Sequence, residues 1–324
     1  MRKITLALAA VLVGALLLVP GCGTKTATDT PADATKTVTI KAGPEVKFGS
    51  YIDSEGSILG AMVIQMLEAN GIKVVDKTKF GTPDVVRKAY LQGDLSGAID
   101  YTGSGAFYVG PETDPAWSDP VKGYAMVKTK DFEQNKVVWT TPAPANNTES
   151  IAVKKEFAEA NNLKTMEDFA AWVNAGKEVK LIGAQAWMDN PLGLKGYEKA
   201  YGFTLKKDQL IGLSNGVTSE FIKALANGTN GANFAEVYAT DGGLADVGLV
   251  VLTDGKSVPP VYSPTPVFRE EIMIAYPEIA SILEPVFMSL TIEKLQTMNK
   301  SVSIDGKDAK VVATEYLTTN GFLK

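Results

Sequence analysis

Strand and helix signals alternate along most of this chain, and the pattern is fullest in residues 81–107, GTPDVVRKAYLQGDLSGAIDYTGSGAF. Thr82-Pro83-Asp84 reads as a helix start: a capping hydroxyl, a proline whose fixed φ suits the first turn, and an acid at the positive helix end. Val85, Val86, Ala89 and Tyr90 recur at helical spacing, and Gly93 stops the helix. A short strand is predicted over 96–101, ending in Tyr101-Thr102-Gly103-Ser104-Gly105. Ligands of open α/β sheets bind where strands end and loops begin. Tyr101 and Thr102 therefore stand where a functional role is expected.

The same alternation extends in both directions. A strand is predicted at 38–41, and Leu59, Met62, Val63, Met66 and Leu67 form an apolar helical stripe that stops at Asn70-Gly71. A strand at 72–75 completes a βαβαβ unit on a mostly parallel sheet. Asp119-Pro120 opens a helix with Val121, Tyr124, Ala125 and Val127 on its expected apolar side, and a strand at 137–139 runs into Thr141-Pro142-Ala143-Pro144. A second cycle follows. It has strands at 151–153, 179–182 and 235–238, a capping box at Thr165-Met166-Glu167-Asp168, and helices near 194–201 and 219–226. Further helices are expected at 291–298 and 309–317. With chain crossings near 142–144 and 241–243, the fold class is α/β and bilobal. Residues 37–143 and 243–324 form lobe 1, and 144–242 form lobe 2.

The N-terminus is a different kind of segment. Arg2 and Lys3 precede an apolar run over 4–19, the pattern of a signal-peptide core. Val19-Pro20-Gly21-Cys22 resembles the lipobox of bacterial lipoproteins, with proline at the middle position as a departure. Residues 1–21 are expected to be a signal peptide and Cys22 the lipidation site. Residues 22–36 would be the lipidated tether, since 24–36 contain no aliphatic side chain larger than alanine. That stretch spans roughly 20 Å as flexible chain. Such a lipid holds a folded domain on the extracytoplasmic face of a membrane, in the periplasm or at the cell exterior.

Composition removes whole classes of chemistry. Without Arg2 and Lys3 the chain carries 30 basic against 37 acidic residues, net −7, with no basic stripe, so nucleic acid is not an expected partner. There is no histidine, which removes Ser-His-Asp and Cys-His catalysis and most zinc sites. Cys22 is the single cysteine, so no disulfide staples the fold. Gly103-Ser104-Gly105, Gly242-Gly243 and Gly255-Lys256-Ser257 match no phosphate-loop fingerprint, so no nucleotide cofactor is expected. Asp53 with Glu55, or Asp241 with Asp246, supply too few ligands for a metal site and read as capping residues. No cofactor, no metal and no catalytic residue is expected. Carboxylate-pair and lysine chemistry stay formally open.

Tyr101 and Tyr238 stand out from this background. Each ends a predicted strand, has a threonine within two residues, and precedes a glycine turn, one in each expected lobe. Two such rings across a cleft suit a cation that lacks hydrogen-bond donors, through attraction by the ring quadrupole. The plainer alternative is that both are half-buried covers of strand ends. Trp187 lies in an aperiodic stretch, 185–193, where hinge packing and ligand contact are both open.

Taken together, these segments resemble the substrate-binding proteins of ABC importers for osmoprotectants: glycine betaine, choline, carnitine and related quaternary amines. The resemblance is carried by Ile58-Leu59-Gly60, Leu67 to Gly71, Gly81-Thr82-Pro83, Tyr101-Thr102-Gly103 and Pro142 to Thr148. It continues through Glu198 to Phe203, Thr240-Asp241-Gly242 and Pro264 to Glu270. It implies a type II-like periplasmic-binding-protein clamshell whose two lobes share a two-crossing hinge. It also implies a monomer docking on ABC permease transmembrane subunits, and an aromatic cage around an ammonium head. Tyr101 and Tyr238 match cage positions, while Thr102, Asn147, Thr240 and Asp241 fall in the motifs around them, Ser54 in the segment 52–56, and Trp187 in the stretch 185–193 as a further candidate contact. Two usual cage tyrosines are replaced by Glu149 and Leu194. Tyr51 stands where many members carry lysine, and no arginine lies in 185–193 to hold a ligand carboxylate. The segments 52–56 and 145–148 resemble a subgroup that binds glycine betaine poorly. Each lost ring costs about 0.5–2 kcal/mol, and Glu149 would attract a cation while repelling a betaine carboxylate. A choline-like cation, or weak glycine betaine binding, is the expectation. The alternatives are an amino acid or polyamine in the same clamshell, or an enzyme on that fold using Glu149 or Asp241 as acid or base.

Overall fold

A computed structural model describes residues 41–214 and 217–323. Cys22, the signal segment, the tether and the body of the strand expected at 38–41 lie outside the described residues, and Lys41 itself is not in a strand. Ten strands follow in chain order: β1 (Val46–Tyr51), β2 (Val74–Gly81), β3 (Gly97–Tyr101), β4 (Val137–Trp139), β5 (Glu149–Lys154), β6 (Leu181–Ala184), β7 (Leu210–Leu213), β8 (Phe234–Tyr238), β9 (Leu249–Val251) and β10 (Pro264–Arg269). They form two five-stranded sheets, ordered β2-β1-β3-β10-β4 and β7-β6-β8-β5-β9.

The two sheets have the same plan. In the first, β1 pairs parallel with β2 and β3, while β10 runs antiparallel between β3 and β4. In the second, β6 pairs parallel with β7 and β8, while β5 runs antiparallel between β8 and β9. The reversed strand in each sheet is the one that enters from the other lobe. A helical crossover returns the chain to the same sheet edge and keeps strands parallel. A chain that leaves at the C-terminal end of β4 or β9 instead enters the next sheet at that end and must run away from it. The C-terminal ends of the parallel strands in both sheets therefore lie toward the crossings. The crossings also bind each other, the Ala143 N–H donating to the Pro264 carbonyl at 2.9 Å and the Asn147 N–H to the Tyr262 carbonyl at 2.9 Å.

One boundary differs from the sequence reading. Residues 249–251 pair with β5 in the second sheet, and Leu249 and Leu252 pack into its core, so the return crossing runs over 252–263 rather than 241–243. The glycines that suggested a crossing serve close packing. A Cβ on Gly242 would run into the backbone at Lys300, in the helix Ile292–Ser303.

Local signals account for most helices. Pro83–Gln92 ends at Gly93 with φ +86, and Met166–Asn174 carries the full capping box between Thr165 and Asp168. Asp119 caps Pro120–Asn135, accepting from the Val121 and Lys122 N–H groups at 3.0 Å. The buried face of that helix is Gly123, Val127 and Asp131, and Val121, expected on it, is 74% exposed. The helix Ser54–Ala69 is buried along most of its length, because the first sheet and the helix Ala309–Thr319 cover it on different sides. Phe48, Ile58, Met62, Phe268 and Phe287 belong to the first core, and Phe169, Phe221 and Phe234 to the second. Among the described residues, no helix is long and apolar enough to cross a membrane, and no group of three or more acidic, histidine or cysteine side chains is placed to hold a metal.

Candidate functional site

Tyr101 and Tyr238 occupy equivalent places in the two sheets. Tyr101 ends β3 opposite Pro264, the first residue of β10, and Tyr238 ends β8 opposite Glu149, the first residue of β5. Both stand where a central strand meets a crossing.

On the first-sheet side, Tyr101 is 5% exposed and its ring stacks on Tyr51, with centroids 5.7 Å apart, rather than on Tyr238. Its hydroxyl donates to Glu55 Oε1 at 2.9 Å. Asn147 Nδ2 donates to the same oxygen at 3.2 Å, Asn299 Nδ2 donates to Oε2 at 2.8 Å, and the Thr240 hydroxyl also bonds the carboxylate. Burial pushes Glu55 up to about 7 even against these donors. One carboxylate thus ties the helix start, the outgoing crossing, a C-terminal helix and the exit of β8.

Behind it lies a second network. The Tyr51 and Tyr90 hydroxyls each donate to Asp100 at 2.9 Å, and Arg87 donates to the Tyr90 hydroxyl at 2.6 Å. Arg87 also grips buried Asp131 with two bonds of 2.8 and 2.7 Å. Arg269 bonds Glu271 and the Tyr90 carbonyl. The chain has three arginines, and the two that are described are both committed to protein partners.

On the second-sheet side, Glu149 is half-buried, and its carboxylate makes no hydrogen bond to the described residues. Burial alone pushes it up to about 7. Its charge acts on Tyr197, Tyr238 and Tyr262, whose hydroxyls burial already holds far above their ordinary range. Tyr262 comes from the return crossing and lies against the Tyr-Thr-Gly turn, where a Cβ on Gly103 would be 2.8 Å from its ring. Glu236 is 2% exposed, accepts the Ala184 N–H at 2.6 Å, and is raised to about 8 by burial and then by Glu149.

The remaining expected residues divide between support and site. The Thr102 hydroxyl donates to the Val261 carbonyl at 2.7 Å and accepts the Ser263 N–H at 3.1 Å, which pins the return crossing. Asp241 accepts the Thr218 hydroxyl at 2.9 Å and the Tyr238 N–H at 2.8 Å, and burial pushes it up to about 6. Thr240 is 1% exposed, and its carbonyl accepts from Asn299. Ser54 opens the helix that Asp53 caps. Trp187, in a short helix Gln185–Asp189, is 3% exposed with an unpartnered Nε1, and Asn147 Oδ1 is likewise unpartnered. Glu55, Tyr262 and Glu236 were not singled out from sequence as ligand-site residues. Glu236 shows locally only as a lone acid among apolar strand residues, and Glu55 reads as an ordinary first-turn acid beside Asp53.

Two like sheets joined by paired crossings, with tyrosines and carboxylates at the facing strand ends, define a solute-binding domain of the importer type. Comparison with known proteins agrees. Residues 44–319 match OpuAC, the substrate binding domain of ABC-type glycine betaine transport systems, and the chain belongs to that family. It is 44% identical over 285 residues to the glycine betaine-binding protein YehZ of Escherichia coli (strain K12), covering 88% of this chain and 93% of that one. It is 28% identical over 284 residues to the carnitine transport binding protein OpuCC of Listeria monocytogenes, covering 86% and 88%. The apo structure of YehZ from Escherichia coli superposes with a TM-score of 0.73 over 86% of this chain and 100% of that one. The osmoprotectant-importer resemblance and the bilobal fold read from sequence both hold.

Proposed function

We propose that this chain is a lipid-anchored extracytoplasmic binding protein that delivers a cationic quaternary amine, such as choline, to an ABC permease, and that it catalyses no reaction. The observation that carries the ligand charge is Glu149: a carboxylate without a hydrogen bond to the described residues, opposite Tyr238 across the strand pair and acting electrostatically on Tyr262, while both described arginines are held elsewhere. A betaine carboxylate would need a guanidinium or ammonium partner to offset Glu149. A trimethylammonium group needs ring faces and a negative charge. Lobes that rotate about the crossings 140–148 and 252–263 would close the β3 and β8 ends on the ligand.

Because its relative YehZ is named for glycine betaine, that zwitterion is the competitor to test. Calorimetric titration of the purified domain with choline, carnitine and glycine betaine should rank choline first, and submicromolar glycine betaine binding would overturn the cation assignment. A thermal-shift screen that responds to amino acids or polyamines instead would move the ligand class. For the anchor, Cys22→Ser should release the protein from membranes into the soluble fraction.

A further inference from the structure

Glu149 and Glu236 project from one face of the second sheet. β5 and β8 run antiparallel with Glu149 opposite Tyr238 and Ile151 opposite Glu236, and side chains alternate between faces along each strand. The two glutamates are therefore diagonal neighbours, about 7–8 Å apart at the backbone and within reach of each other's long side chains. Glu236 is fixed at the rear, with its carboxyl over the bare backbone of Gly183. A Cβ there would lie 2.7 Å from Oε2, and the Ala184 N–H holds that oxygen at 2.6 Å. Glu149 is at the front, among the tyrosines. Among the described residues, no lysine or arginine acts on either carboxyl group.

Two close carboxylates without a counter-ion cannot both ionise cheaply, so one keeps a proton. We propose that Glu149 and Glu236 act as one charge-reading pair: the pair holds a proton in the unliganded protein and gives it to solvent when a cation without its own carboxylate binds. The inference rests on the quaternary-amine reading above. On binding, the ligand's positive charge replaces the proton's, an O–H bond of the pair breaks, and the proton passes to buffer. A zwitterion brings a carboxylate with its ammonium, adds no net charge, and leaves the proton in place. The pair thereby sets specificity for net ligand charge.

Two further carboxyl groups lie in the same range: burial raises Asp241, whose charge acts on Glu236, to about 6 and Glu55 to about 7. Tyr197, Tyr238 and Tyr262 stay neutral throughout, and both oxygens of Asp241 are occupied by Thr218 and the Tyr238 N–H. Asp53, which acts on Asp241, is bound to its own helix start through the Gly56 N–H. Glu55, on the first-sheet side, is bound by Tyr101, Asn147 and Asn299.

The test is calorimetric titration with choline at pH 7 in phosphate and in Tris, whose ionisation enthalpies differ. The expected result is a buffer-dependent enthalpy equivalent to about half to one proton released per choline, with Kd tightening about tenfold from pH 6 to pH 8. Glu149→Gln and Glu236→Gln should each remove most of the release and flatten the pH dependence. The amide carbonyl that Glu236→Gln introduces can still accept the Ala184 N–H, so this variant should fold. Glycine betaine should release almost none. Choline binding with equal enthalpies in both buffers overturns the pair while leaving the quaternary-amine reading intact. Release lost in Glu149→Gln but kept in Glu236→Gln also overturns it, because the proton then belongs to one residue. If choline, carnitine and glycine betaine all fail to bind, the quaternary-amine reading falls and this inference with it.

Discussion

Tyr101 looks from sequence like a ligand contact and is, in the folded chain, a side chain with most of its bonding already satisfied. Its ring stacks on Tyr51 and its hydroxyl is committed to Glu55. The Tyr262 ring, from the return crossing, lies within range of the Glu149 charge. The two residues should respond differently to substitution. Tyr262→Ala removes one ring from the proposed site and should weaken choline binding about 2- to 30-fold, the effect of one cation–π contact, and should also lower thermal stability because the ring packs on the first core. Tyr101→Phe leaves the Glu55 carboxylate short of one donor and should cost about 1–3 kcal/mol in denaturant unfolding. Tyr262 was invisible to periodicity because it sits in a crossing, where neither the helical nor the strand repeat applies. Glu236 was hidden because a strand buried on both faces gives no polar side on which an acid would be expected.

At the scale of elements, capping chemistry was the most legible part of the sequence. Gly93, Thr165 with Asp168, and Asp119 all end or begin helices as their types demand, since those bonds are local. Asp119→Ala removes two bonds to orphan N–H groups at the start of Pro120–Asn135 and should destabilise by about 0.5–2 kcal/mol in urea unfolding. The buried face of the same helix was legible only in part: Val127 is buried and Tyr124 packs on the core, but Val121 and Ala125 are exposed. Asp131 is buried there because Arg87, from a helix far away in sequence, meets it with two hydrogen bonds. Arg87→Ala would leave that buried carboxylate without its counter-ion, still bonded only by Trp139 and Asn135, and should cost about 3–5 kcal/mol. β1 was missed because Gly49 lowers its strand propensity. The glycine is needed there, since a Cβ would strike Leu95.

For the whole molecule, the sign of the buried acids makes a prediction about pH. Glu55 and Glu149 are raised to about 7, Glu236 to about 8 and Asp241 to about 6, burial being the first cause in each. A carboxyl group whose folded pKa lies above its unfolded value favours folding while protonated, and that contribution is lost as pH rises through the folded pKa. The unliganded domain should therefore melt highest near pH 5 and lose several degrees by pH 8, measured by calorimetry across that range. A saturating cation should diminish the loss, because it favours the ionised carboxylates.

The sequence by itself determined the α/β alternation, the helix ends, the family and the positions of Tyr101 and Tyr238 at strand ends. Each of these depends on neighbours within a few residues or on motifs that survive in order along the chain. Only the tertiary structure decided that residues 249–251 belong to the second sheet, that Thr102 and Asp241 brace the crossing and the β8 turn, and that Tyr262 lies against the Tyr-Thr-Gly turn. Those outcomes come from pairings between segments distant in the chain, the widest joining Thr102 to Ser263 at a separation of 161. No local pattern encodes which distant strand a segment will meet, because the burial that selects the pairing exists only once both lobes have formed.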